Sequence, residues 1–133
     1  MSFLLDTDTC SAHLKGHRGV TSRFFQYTGR LHVSAITVGE LFTWARRSAA
    51  PPRRMQSLLD FLNDMTVLAV TDQVGRKFGQ LRAGLLDAGK PAPDMDLLIA
   101  STALVHDLTL VTHNVRDFAS IANLRVIDWV ILD

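Results

Sequence analysis

The sequence predicts an α/β fold in which helices cover both faces of a parallel sheet. Short apolar runs that suit buried strands alternate along the chain with longer segments whose apolar residues recur at helical spacing. Helix N-cap residues follow the first apolar run directly, from Asp6 to Thr9. Strands that alternate with helices pair in parallel, because each helix returns the chain to the edge where the previous strand began.

Five short runs are predicted strands. Residues 3–5 form the first of them, and the β-branched run 108–112 is the strongest strand signal in the chain. The others are residues 32–34, 66–70 and 124–127. These runs predict a central sheet of four to five strands.

Helices are predicted between the strands. One begins near Asp6, and residues 97–105 form an almost wholly apolar helix. Prolines at 51–52 and 91–93 are typical of helix entries, and Gly89 is typical of a helix end. Three more helices are indicated by the apolar repeats Val38, Leu41, Phe42 and Ala45, then Met55, Leu58, Leu59 and Leu62, then Val74, Phe78, Leu81 and Leu85.

Composition restricts the class of protein. A chain of 133 residues, 47% of them hydrophobic, is long enough for one domain and too short for two ordinary ones, so residues 1–133 are predicted to form a single domain. Cys10 is the only cysteine, which excludes an intramolecular disulfide and favours a cytoplasmic protein. No run has the features of a signal peptide or the length of a membrane span. The net charge of +1 gives no strong bias toward polyanions.

Acidic residues fall beside the predicted strand ends and helix starts. Asp6 ends the first strand, Glu40 and Asp96 lie in predicted first turns of helices, and Asn114 and Asp117 follow the fourth strand. In a parallel α/β sheet all these positions lie at the edge where ligands bind. Two carboxylates about 4 Å apart repel by roughly 4 kcal/mol at an effective dielectric constant near 20. The pattern therefore favours a divalent cation among the acids.

Each acid also has a structural interpretation that needs no metal. Residues 37–40 match a capping box, in which Thr37 and Glu40 satisfy free amides at a helix start. Asp94 suits an N-cap, and Asp96 suits a first turn, where the helix dipole favours an acid by about 0.3 to 1 kcal/mol. Asp6 and Asp8 suit the cap of the first helix. These interpretations do not explain why so many acids collect at one edge.

Four segments together resemble the motifs of PIN-domain ribonucleases, and most closely those of VapC-type toxins from bacterial toxin-antitoxin pairs. They are residues 3–8, 36–41, 94–100 and 110–118. The resemblance implies a three-layer α/β/α sandwich and a Mg²⁺- or Mn²⁺-dependent endoribonuclease that hydrolyses RNA phosphodiester bonds and inhibits growth. It also implies a cognate antitoxin protein as partner, a homodimer and no membrane association.

The resemblance places Asp6, Glu40 and Asp96 at the family's acid positions and leaves the fourth position open between Asn114 and Asp117. We expect Asp6 and Asp96 to bind the metal directly, and Glu40 to bind through water or to orient the nucleophile. Asp117 or Asn114 completes the ligand shell or places a second metal. Thr112 and Asn114 are expected to support the carboxylates or contact the phosphate. Magnesium suits this set because it prefers oxygen ligands and retains several waters.

Basic and aromatic residues supply weaker signals. Arg46, Arg47, Arg53 and Arg54 bracket the proline turn and are candidates to guide RNA, although a solvated helix end is the favoured interpretation of any one of them. Trp44 has two open interpretations, which are packing against the helix entered at residue 51 and lining a groove for an antitoxin segment. His113 is interpreted as structural and is left out of the catalytic set.

Two other functions are open to the sequence. A PIN-like module that binds RNA or protein without cutting is the first alternative, and the retained acids argue against it. A receiver-like phosphoacceptor is the second, but it requires a lysine near the late strand, and residues 108–118 contain none.

Overall fold

A five-stranded parallel sheet forms the centre of the protein in the computed structural model, which describes residues 1–131. The strands are β1 (Phe3–Leu5), β2 (Leu31–Ser34), β3 (Thr66–Leu68), β4 (Thr109–Val111) and β5 (Val126–Ile127). Their order is β3-β2-β1-β4-β5, and every adjacent pair is parallel. The chain leaves β1 toward β2 and returns on its other side at β4. The strand order therefore reverses between β1 and β4, the kind of position where α/β sheets bind ligands.

Six α-helices and one short 3₁₀ helix connect the strands. The helices are α1 (Thr7–Leu14), α2 (Arg18–Gln26), α3 (Ala35–Arg46), α4 (Pro52–Asn63), α5 (Asp72–Asp87) and α6 (Asp94–Val105), and the 3₁₀ helix is Val115–Phe118. The helix end predicted near Gly89 agrees with the structure. α5 ends at Asp87, and Gly89 follows it with a φ of +68°. None of the helices within residues 1–131 has the length and apolar character needed to span a bilayer.

Two apolar cores lie on opposite faces of the sheet. Phe3 and Leu5 of β1 pack in the core formed with α1 to α4, whereas Leu4 packs in the core formed with α5 and α6. This division follows from the alternation of side chains along a strand. Helices therefore cover both faces, and the predicted α/β/α sandwich with a parallel sheet is confirmed.

Strand lengths and one helix differ from the sequence prediction. The third, fourth and fifth strands were predicted as residues 66–70, 108–112 and 124–127 and are shorter, because only residues 66–68, 109–111 and 126–127 pair across the sheet. Helix α2 was not predicted as a separate element. Gly16, with a φ of +86°, separates it from α1 by turning the chain in a conformation that favours glycine.

Candidate active site

Asp6 lies at the point where the strand order reverses. It is the N-cap of α1, is only 8% exposed, and accepts a 2.8 Å hydrogen bond from the backbone N–H of Thr7. Its other carboxylate oxygen accepts a 2.9 Å bond from the Thr112 hydroxyl, which follows β4. The carboxylate therefore joins the ends of two adjacent strands.

Asp8 connects the start of α1 to the segment after β4. Its Oδ2 accepts a 3.1 Å bond from the backbone N–H of His113 and a 3.4 Å bond from the Thr112 hydroxyl. The capping role predicted for Asp8 is wrong, because Asp6 occupies the cap. Asp8 instead places a second carboxylate beside Asp6.

Glu40 lies in the second turn of α3. The helix begins at Ala35, and the Ser34 hydroxyl caps it by accepting a 3.1 Å bond from Ile36 N–H. The predicted first-turn position of Glu40 and its capping-box interpretation are therefore wrong. The Glu40 carboxylate accepts a 2.6 Å bond from the Thr7 hydroxyl, which holds it against the start of α1. Sequence reasoning missed this role of Thr7, whose only signal was its place between Asp6 and Asp8.

Asp96 lies in the first turn of α6 and is partly buried. The N-cap of α6 is Pro93, so the prediction that Asp94 caps this helix is wrong. Asp94 instead forms a 3.3 Å ion pair with Arg82 of α5. The two acids of one helical turn thus differ in surroundings, since Asp94 pairs with a cation and Asp96 is repelled by other carboxylates.

The carboxylates repel one another across this edge. Burial raises the pKa of Asp6 from an ordinary 3.8 to about 6, with further increases from Asp8 and Asp96, while hydrogen bonds from Thr112 and Thr7 oppose the rise. Burial also raises the pKa of Asp96, and repulsion from Asp117, Glu40 and Asp8 adds to it. Repulsion of this kind requires proximity. Repulsion thus links Asp6 to Asp8 and Asp96, and links Asp96 to Glu40, Asp117 and Asp8. We call these five residues the acidic cluster.

The segment after β4 supplies the remaining predicted residues. Thr112 is fully buried, and its hydroxyl accepts a 3.1 Å bond from the backbone N–H of Asn114. Asn114 and Asp117 are exposed, and the backbone N–H of Asp117 donates to the Asn114 carbonyl at 3.0 Å. Both side chains line a cavity of about 670 Å³. Either side chain is free to complete a ligand set, so the choice between them stays open.

His113 is fixed by a residue that the sequence did not indicate. Its Nδ1 lies 2.9 Å from Oδ2 of Asp128, a buried carboxylate that also accepts a 2.8 Å bond from Val130 N–H. The arrangement matches the structural interpretation of His113. It also anchors the segment that carries Thr112 and Asn114.

The predicted RNA-guiding arginines separate into two kinds. Arg46 lies 5.8 Å from the Phe42 ring, and Arg54 lies 4.6 Å from the Trp44 ring and donates a 3.2 Å bond to the Trp44 carbonyl. Arg47 and Arg53 are exposed. Trp44 therefore packs against α4, as the first of its two interpretations predicts.

The acidic cluster has the donor chemistry of a Mg²⁺ site. Its side chains offer carboxylate and amide oxygens, and repulsion from neighbouring carboxylates adds to burial in raising the pKa values of Asp6 and Asp96, a conflict that a cation would relieve. Among residues 1–131, however, no three His, Cys, Asp or Glu side chains lie close enough together to enclose an ion directly. Mg²⁺ in proteins is usually bound by one or two carboxylates and retains several waters.

Thr112→Val should destabilise the protein, because it removes the buried hydroxyl that bonds both Asp6 and Asn114 N–H. We expect a loss of about 1 to 3 kcal/mol in the free energy of unfolding, measured by urea titration. The pKa of Asp6 should also rise, since this hydrogen bond lowers it. Thr112→Ser retains the hydroxyl and serves as the control. Equal stability of the valine and serine variants would contradict this role of the hydroxyl.

Comparison with known proteins identifies the family. Residues 3–124 match the family model of the PIN domain, so the chain belongs to the PIN-domain family. It is 35% identical to a tRNA(fMet)-specific endonuclease VapC of Salmonella typhimurium, over 97% of this chain and 98% of that protein. It is 34% identical to ribonuclease VapC2 of Haemophilus influenzae, over 98% and 99% of the two chains.

Solved structures show the same fold. A DNA-bound VapBC structure from Salmonella typhimurium contains a chain with a TM-score of 0.91 and 35% identity, covering 97% of this chain and 98% of that one. VapBC2 from Rickettsia felis, bound to a fragment of promoter DNA, gives a TM-score of 0.89 at 26% identity, with coverages of 97% and 99%. The similarity extends over nearly the whole chain, as the predicted resemblance implied.

Proposed function

We propose that this protein is a divalent-metal-dependent endoribonuclease that acts as the toxin of a toxin-antitoxin pair. The observation that carries the proposal is the acidic cluster at the strand-order reversal, where burial, together with repulsion from other carboxylates, raises the pKa values of Asp6 and Asp96. Relatives named as VapC ribonucleases, at 34–35% identity over nearly full length, support it. A module that binds without cutting would gain nothing from this repulsion.

We assign Asp6 and Asp96 as direct ligands of Mg²⁺, with Mn²⁺ as a substitute. When bound, the ion supplies a water of lowered pKa and neutralises charge on the phosphodiester. Glu40, held by the Thr7 hydroxyl, orients the attacking water. Thr112 fixes the Asp6 carboxylate, and Asp117 or Asn114 completes the shell from the segment after β4.

The partners follow from the same proposal. The substrate is RNA, and the initiator tRNA is the first candidate because one relative is named as a tRNA(fMet)-specific endonuclease. VapBC structures of similar chains support a cognate antitoxin for this chain. A homodimer and a cytoplasmic location remain part of the proposal.

The proposal predicts metal-dependent RNA cleavage by the purified protein. Product should form with Mg²⁺ and be lost with EDTA, then return when excess Mg²⁺ is added, because the acidic cluster needs the cation. Gel analysis of labelled initiator tRNA and of a mixed RNA pool measures cleavage and selectivity together. In cells, expression should arrest growth, and co-expression of the cognate antitoxin should relieve the arrest.

Two outcomes would contradict the proposal. Cleavage that is equal with Mg²⁺ and EDTA would remove the metal role. RNA binding without cleavage under any divalent cation would favour the non-cutting module.

A further inference from the structure

A basic cavity lies toward the C-terminal ends of α1 and α3, two helices whose earlier turns carry acids of the acidic cluster. It has a volume of about 320 Å³ and is formed where the end of α1, the end of α3 and the start of α4 meet. Lys15, Arg53 and Arg54 line it together with Trp44, and none of the acidic residues between positions 1 and 131 does so. Within the part of the chain that the structure describes, none of these three cations forms a salt bridge. We call this space the Trp44 cavity.

The Trp44 cavity has a preformed planar wall. The Arg54 guanidinium lies 4.6 Å from the centre of the indole ring, and its 3.2 Å bond to the Trp44 carbonyl fixes it there. This bond uses one of the five N–H donors of the guanidinium. The stacked pair thus combines a flat surface, which suits a nucleobase, with remaining donors, which suit a phosphate.

Helix α3 connects the cavity to the acidic cluster. Trp44 follows Glu40 by four residues on this helix, so the two side chains lie on the same side, about 6 Å apart along the axis. Helix α1 also runs from the acidic cluster to the cavity, since its first residue, Thr7, bonds Glu40 and Lys15 follows its last turn, about 12 Å further along the axis. A strand with one phosphate at the acids can therefore reach the cavity with a nucleotide one or two positions along.

We propose that the Trp44 cavity is a binding subsite for a nucleotide one or two positions from the cleaved bond of single-stranded RNA. Lys15 and Arg53 bind its phosphate, and the Trp44–Arg54 pair stacks with its base. The inference rests on the proposed ribonuclease function and assigns these residues to substrate binding only. The shared helix with Glu40 and the planar wall favour RNA over an acidic protein segment, which needs charge but no stacking surface.

Steady-state cleavage of a single-stranded RNA oligonucleotide tests the subsite. Lys15→Gln and Arg53→Gln remove exposed cations without disturbing the core, and Arg54→Lys keeps the charge but loses the planar stack. We expect each variant to raise KM several-fold at nearly constant kcat. The first two should also reduce the slope of log KM against log salt by about one. Arg76→Gln is the matched control, because Arg76 is an exposed cation in an ion pair on α5. This variant should have the KM and the salt dependence of wild type.

Shortened substrates give a second measurement. An RNA trimmed until it no longer reaches the cavity should be cleaved with the same KM by wild type and by Lys15→Gln. Thermal melting confirms that each variant is folded.

Two results would overturn the subsite while leaving the proposed function in place. The first is that Lys15→Gln, Arg53→Gln and Arg54→Lys all have the same KM and the same salt dependence of KM as wild type. The other is weakened binding of an acidic antitoxin peptide with unchanged RNA kinetics. Failure of the proposed function is different, because wild type itself would then leave RNA intact.

Discussion

Asp6→Asn and Asp96→Asn should each lower RNA cleavage by at least about a hundredfold and abolish growth arrest. Each substitution removes one negative charge from the acidic cluster with almost no change in volume. An amide oxygen is a weaker ligand for Mg²⁺ than a carboxylate oxygen. The rate of cleavage of labelled RNA at saturating Mg²⁺ measures the effect.

Asp94→Asn is the matched control for Asp96→Asn. Asp94 lies in the same helical turn, but it pairs with Arg82. We expect its cleavage rate to stay within a factor of about two of wild type, because an exposed ion pair contributes at most about 1 kcal/mol to stability. Wild-type rates in both Asp6→Asn and Asp96→Asn would refute their assignment as metal ligands.

Asp6→Asn should also make the metal-free protein more stable at neutral pH. The pKa of Asp6 is about 6 in the folded state, against an ordinary value of 3.8. Between these pH values the folded state retains a proton that the unfolded state has lost, so the stability of wild type falls as pH rises through this window. Across this window the free energy of unfolding of wild type falls by about 3 kcal/mol because of Asp6. The asparagine variant has no titrating group at this position and does not show this fall. Asparagine also remains a good N-cap for α1.

Urea unfolding in EDTA at pH 4 and pH 7 measures this effect. The variant minus wild-type difference in unfolding free energy isolates Asp6, since the other titrating groups are common to both proteins. Mg²⁺ should stabilise wild type at pH 7 and have a smaller effect on the variant. A difference that is the same at both pH values would show that burial and repulsion do not penalise the Asp6 carboxylate.

The alternation of apolar runs and helical periods was sufficient to predict the parallel sheet and the edge that carries the acids. These features depend on side-chain periodicity, which is local in the sequence. The position of Asp6 followed from the same reasoning, because it ends the first strand. The first residues of helices were harder to predict. Both Ser34 and Thr37 are good N-cap residues for α3, and local sequence does not choose between them, whereas in the folded chain Ser34 is the cap.

Contacts between distant segments were not predictable from local patterns. The bond between Asp8 and His113 N–H joins residues 105 positions apart, and the pair of His113 with Asp128 depends on the path of the chain after β5. The stack of Arg54 on Trp44 likewise requires the crossing of α3 and α4. The sequence indicated which residue types collect at the edge, but their partners depend on the folded chain.

The bond between Thr112 and Asp6 has a consequence for biosynthesis, because its two residues are 106 positions apart. β1 lacks its β4 neighbour until the ribosome has synthesised the chain past Val111. A nascent polypeptide that ends before this point lacks Thr112 and Asp117, so the Asp6 carboxylate has neither its hydroxyl partner nor the segment after β4. Translation itself thus delays the assembly of the candidate active site until these residues have left the ribosome.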